Sequence, residues 1–195
     1  MGAYDAQVQK AWAAVNRTTP LQPLGLVAYN SYMSQYGYQQ TVENMLSSNE
    51  CVNNVKPLCR LYQALLTRKP DPTGLDYHVT NFINYLAANG NNRGPALALV
   101  ADQFMNAPEY LALYPAGLTN EQFITACYVN TLRRQPEAGV MPYWINRLNN
   151  GETRSQIIVS FSESQEFIDA TFAGINAMLR GAANDDPNAY VGTLF

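Results

Sequence analysis

Apolar residues recur along nearly the whole chain at spacings of three and four. Leu58, Leu61, Tyr62 and Leu65 fall at i, i+3, i+4 and i+7, and Leu75, Val79, Phe82, Ile83 and Leu86 form a second stripe. Both spacings put the apolar side chains on one face of a 3.6-residue helix. No run alternates β-branched and polar positions as a half-buried strand would. The pattern predicts an all-α protein. Its helix starts are written in capping chemistry. Thr119 with Gln122 and Thr153 with Gln156 have capping-box spacing, Leu118 and Phe123 flank the first as a hydrophobic staple, and Asp71-Pro72 supplies an N-cap and an N1 proline. Asn150-Gly151 is a stop signal.

The same pattern repeats three times. An aromatic residue stands eight positions before a proline at Trp12/Pro20, Tyr62/Pro70 and Tyr128/Pro136. Around it, Val8, Ala11 and Val15 align with Leu58, Leu61 and Leu65 and with Ile124, Cys127 and Thr131. A glycine follows each proline (Gly25, Gly74, Gly139), and a glutamate later opens a third helix (Glu50, Glu109, Glu166). The middle copy is nine residues longer from proline to glutamate, and the loop-like stretch 88–95 is the expected site of the insertion. A unit this small buries little surface alone, so three units sharing one interior predict a compact bundle of three imperfect three-helix repeats. The expected repeats are residues 4–52, 55–115 and 118–175, forming one domain over 1–180. Residues 181–195 have linker composition and predict a connection to a longer C-terminal region.

Composition narrows the function. Of 195 residues only 14% are charged, against roughly 25% in an average globular protein. Asn, Gln, Thr and Ser total 52, lysines number three, and net charge is -3. A general nucleic-acid binder needs a basic face to displace counterions, and an electrostatic membrane anchor needs the same. No apolar run has the length of a spanning helix, so neither nucleic acid nor membrane insertion is expected. The start of the chain lacks the basic and apolar regions of a secretory signal.

The segment Leu61–Tyr77, LYQALLTRKPDPTGLDY, resembles a bacterial helical repeat of the form LYxxxLGRxPDxxGLxYW. Tyr128–Gly139, followed by Tyr143-Trp144, is similar again, and Phe161–Phe167 resembles the FxxSxEF end of that repeat. The first copy is degraded: Thr18 stands at the arginine position and Arg17 comes one residue early. Similar repeats occur in secreted surface proteins and open the surface-layer proteins of some Gram-negative bacteria. The resemblance implies a non-catalytic anchoring domain at the cell surface, exported by type I secretion, that binds lipopolysaccharide O-antigen or another surface polysaccharide and self-associates in a lattice. The alternative is a protein–protein scaffold of a secreted coat or adhesin. Calcium is compatible with such proteins, but no Gly/Asp-rich nonapeptide is present to hold it.

The chemistry-bearing residues agree with a non-enzymatic role. There is one histidine, His78, and no GxSxG, phosphate loop or CxxC, so no catalytic residue or metal site is expected. Arg68 and Arg134 fall at helix ends, where a cation complements the dipole. Sugar recognition needs flat rings and amides, and tyrosine supplies both an apolar face and a hydroxyl. The candidate carbohydrate contacts are Tyr32, Tyr36, Tyr38 and Gln39 in the tyrosine-rich stretch 29–40, with Tyr77, Tyr143 and Trp144 after the second and third prolines. Tyr77 points about 200° away from Leu75 on a helix, off the apolar stripe. The competing reading of all these rings is packing. Cys51 and Cys59 are expected to form a disulfide across a bend at Asn53-Asn54, because Pro57 should break a continuous helix there. Cys127, aligned with Leu61, is expected in the core.

Overall fold

The computed structural model describes residues 2–18 and 20–195, and every regular element among them is helical. In chain order these are α1 (Asp5–Asn16), α2 (Pro23–Leu46), a π-helix (Cys51–Val55), α3 (Lys56–Leu66), α4 (Pro72–Ala88), α5 (Arg93–Asp102), α6 (Pro108–Leu113), α7 (Asn120–Leu132), α8 (Met141–Asn149), α9 (Arg154–Ser162) and α10 (Gln165–Ala183). Both capping boxes form. Gln122 N donates to Thr119 Oγ1 at 3.2 Å while Thr119 N donates to Gln122 Oε1 at 2.9 Å, and Thr153 with Gln156 repeats the exchange. Asp71 caps α4 by accepting from Gly74 N at 2.8 Å.

The threefold repeat is visible in the backbone. Arg17, Thr67 and Arg133, each five residues after the aligned aromatic, cap their helices in the left-handed region with φ of 56°, 52° and 56°. Each unit contains four helical segments where the sequence predicted three, and the recurring glutamate opens the fourth. Units two and three are α3–α6 and α7–α10. In unit one, the second and third segments are two arms of α2 meeting at a kink at Gly37, whose φ of 79° suits only glycine. The loop between the second and third helices is four residues in both other units, 89–92 and 150–153. The insertion of the middle copy therefore lies outside the predicted loop, in a longer α4 and a longer stretch from α5 to α6.

Helix α3 is the axis of the bundle. All eleven of its residues are buried, and α4, α5, α6, α7, α9 and α10 pack around it. It continues N-terminally through the π-helix, so Pro57 does not break the chain. The π segment lets Lys56 N reach back to Cys51 O. The Asn53 carbonyl, which Pro57 has no N–H to satisfy, accepts from the Arg93 guanidinium instead. The expected bend at Asn53-Asn54 is absent, and with it the disulfide. Eight residues along a continuous helix separate Cα atoms by roughly 12 Å, beyond the reach of about 7 Å that a disulfide allows. Cys51, Cys59 and Cys127 are free and fully buried, Cys127 in the core as its alignment predicted. Burial pushes the thiols of Cys51 and Cys59 up to about 12.

Residues 181–195 are part of the fold, contrary to the linker expectation. After α10 the chain turns and lays Ala189 and Leu194 into the core. Leu194 N donates to the buried Gln63 Oε1 at 2.9 Å, and Lys69 N donates to Gly192 O at 2.9 Å. The segment crosses α10 at Gly174, where a Cβ would stand 2.0 Å from Leu194 O. Phe195 stacks under the Arg133 guanidinium at 3.7 Å. Polar groups that composition assigned to solvent are thus consumed by α3.

Two outcomes follow. Gly174→Ala displaces the C-terminal segment and unpairs Gln63, so hydrogen exchange at the Leu194 amide should rise to that of an open segment and the protein should lose roughly 1–3 kcal/mol in chemical denaturation. Thiol titration without reductant should find no reactive cysteine in native protein and three after denaturation. Only one thiol after denaturation would restore the disulfide.

Candidate functional site

The most regular polar construction in the molecule is a corner that units two and three share. In unit two, Arg68 follows the left-handed cap of α3, lies 5.5 Å over the Tyr62 ring, and bonds Glu109 through Nε at 2.6 Å and Nη2 at 3.3 Å. In unit three, Arg134 lies 5.0 Å over Tyr128 and bonds Glu166 at 2.7 and 2.8 Å. Each arginine has a further carboxylate, Asp71 at 3.9 Å and Glu137 at 2.6 Å. The arginines hold Glu109 and Glu166 below the usual carboxylate range, through the hydrogen bonds first. Arginine here is more than a charge at a helix end: it ties the first helix of a unit to the fourth. The recurrence of both residue types was legible in the sequence, but their pairing across 41 and 32 residues was not.

Behind each corner sits an aromatic triad. His78 Nδ1 lies 2.9 Å from the Tyr62 hydroxyl, and its ring stacks on Phe104 at 4.4 Å. At the equivalent place Trp144 Nε1 donates to the Tyr128 hydroxyl at 3.1 Å and its ring stacks on Phe161 at 4.6 Å. Trp144, a candidate sugar contact, is therefore a packing residue, capped by Arg147 at 4.9 Å. His78 Nδ1 also lies 2.8 Å from Gly74 O. Burial outweighs that bond and lowers the His78 pKa below its ordinary value.

The remaining candidates divide. Tyr77 and Tyr143 stand at equivalent positions, 58% and 57% exposed, each braced edge-on by the following ring at 5.1 Å. Tyr36 is 52% exposed and stands against Tyr32 at 4.6 Å. Tyr38 and Gln39 lie beyond the Gly37 kink, where both bond the end of α10, Tyr38 half-buried and Gln39 exposed. The Tyr38 hydroxyl donates to Ala183 O, and Gln39 Nε2 donates to Asn184 Oδ1 at 2.9 Å. Tyr29 turns inward against Trp12 at 5.7 Å. The arrangement offers exposed aromatic platforms. Among the described residues no three His, Cys, Asp or Glu side chains gather as metal ligands.

His78 gives the fold a pH dependence of definite sign. The folded state holds the imidazole neutral where the unfolded chain would bind a proton, so stability is full above about pH 6.5 and falls as pH drops below it. Melting temperature should fall from pH 7 to 5 in wild type but stay nearly level in His78→Trp, which copies unit three. A further fall below about pH 4.5, from Glu109 and Glu166, should persist in both. The family described as a domain of unknown function, DUF4214, matches residues 101–171, from the end of α5 into α10, and so takes in the whole Arg134–Glu166 corner and Tyr143. No curated protein and no solved structure matches the chain.

Proposed function

We propose that this is a non-catalytic cell-surface anchoring domain that binds lipopolysaccharide O-antigen or another surface polysaccharide. The observation that carries the reading is the pair Tyr77 and Tyr143. Repeat symmetry holds two large rings more than half exposed to water, each set edge-to-face against the following ring, with the Arg147 guanidinium 5.6 Å over one face of Tyr143. A ring fixed before binding gives a sugar C–H face a partner at little entropic cost, and the hydroxyl is available to the sugar OH groups. Tyr36 with Tyr32 adds a third platform on α2. The few charges suit an uncharged, hydroxyl-rich ligand.

A scaffold role for a protein partner is the second reading, favoured by one observation. The first arm of α2 leaves Leu24 and Val27 87% and 69% exposed, three residues apart on one helix face. Such residues are apolar surface of the kind that interfaces cover.

Binding of the purified domain to cells carrying or lacking O-antigen tests the first reading. Binding should be lost without O-antigen. Tyr77→Ala with Tyr143→Ala should weaken binding of the purified polysaccharide roughly tenfold or more, about 1.4 kcal/mol, with little change in melting temperature because both rings are exposed. Equal binding to both cell types sinks the polysaccharide reading, and self-association abolished by Leu24→Asp would favour the scaffold.

A further inference from the structure

Unit one builds the corner described above without its arginine. Glu50 opens its helix two residues after the capping Ser48, as Glu166 does after Ser164 and Glu109 after Ala107. Trp12 stands where Tyr62 and Tyr128 stand. The arginine position holds Thr18, and the displaced Arg17 leaves for unit two, where it pairs with Asp76 and donates to Pro72 O at 2.9 Å. What remains is a cavity of about 270 Å³ lined by Trp12, Thr18, Pro20, Leu21, Gln22 and Glu50. Among the described residues Glu50 has no ion-pair partner, and the Trp12 indole N–H is buried without a hydrogen-bond partner. One wall of the cavity is held by Gln9, which bonds Leu21 twice, accepting from its N at 3.0 Å and donating to its O at 3.2 Å.

We propose that this cavity is a binding site for a guanidinium group, supplied by an arginine side chain of a partner polypeptide. Two sister corners in the same chain hold a guanidinium between an aromatic face and a carboxylate, and here the face and the carboxylate remain while the guanidinium is missing. Arginine suits the site better than lysine. Its planar group can lie on the indole face and offer paired N–H donors to one carboxylate, whereas an ammonium offers a point charge. Tyr29 packs against the Trp12 ring at 5.7 Å, and its pKa is raised first by burial and then by the Glu50 carboxylate. The inference is independent of polysaccharide binding, since none of the lining residues is among the exposed platforms.

Titration with N-acetyl-arginine amide, followed by NMR at the Trp12 indole N–H, reads the site directly. Trp144→Phe assigns which of the two indole signals is Trp12. The Trp12 signal should move saturably, with a Kd on the order of 1–10 mM for so small a probe, and move at least roughly fivefold less readily with N-acetyl-lysine amide. Thr18→Arg supplies the group in cis, recreating the Arg133-Arg134 sequence of unit three, and should leave the fold intact while abolishing the response. Glu50→Gln should weaken binding at least roughly fivefold. A Trp12 signal that does not move by about 50 mM, an equal response to the lysine probe, or a Glu50→Gln protein that titrates like wild type would each overturn the proposal.

Discussion

Everything in this fold is arranged around a helix that has no solvent side. A helix buried all round must have each of its polar groups met by another element, because an unpaired group there costs about 1–3 kcal/mol. Helix α3 meets that demand piece by piece. Arg60 forms a two-bond pair with Glu163 at 2.8 Å, Gln63 accepts from the C-terminal segment, the Ala64 carbonyl accepts from the Tyr114 hydroxyl at 2.9 Å, and the Asn53 carbonyl ahead of it takes Arg93. Each partner comes from a different part of the chain, so the neighbours of α3 are specified by polar contacts as well as by shape. Apolar packing alone would tolerate several rotations of α3. These bonds tolerate one.

The repeats explain how such an arrangement is reached from short units. Units two and three each lock their first helix to their fourth with an arginine laid over an aromatic ring and held by a glutamate at a helix start. A partly exposed ion pair is worth little by itself, but here it is bidentate, sits on a ring, and completes the αL cap that ends the first helix. The three units then diverge in what they do with the same frame. Unit two fills the position behind the corner with histidine, unit three fills it with tryptophan, and unit one sends its arginine elsewhere.

Helical class, caps and the burial of Cys127 were legible because they depend on local spacing. Leu58, Leu61 and Leu65 announce a buried face without reference to any other segment. The misjudged C-terminal segment and proline break depend on long-range partners. Residues 181–195 carry loop composition and still pack, because Gly174 lets them approach α10 and Gln63 receives them. Pro57 signals a break, yet a π turn and Arg93 absorb the missing N–H. Of the candidate site, the repeated Tyr77 and Tyr143 were correctly placed off the apolar stripe. Trp144 and Tyr38 were misjudged because an indole or a phenol at a helix surface looks the same in sequence whether it meets water or a neighbouring polar group.

The docking of Leu194 onto Gln63 spans 131 residues. Contacts of that separation form late, since the loop they close must be ordered first. During synthesis the central helix is made long before the segment that completes its polar coordination, so α3 waits with an unmet amide until the final turn emerges. Closure of the domain is thereby timed to the arrival of Leu194, and a nascent chain stopped short of it holds the bundle in a looser, more easily opened state.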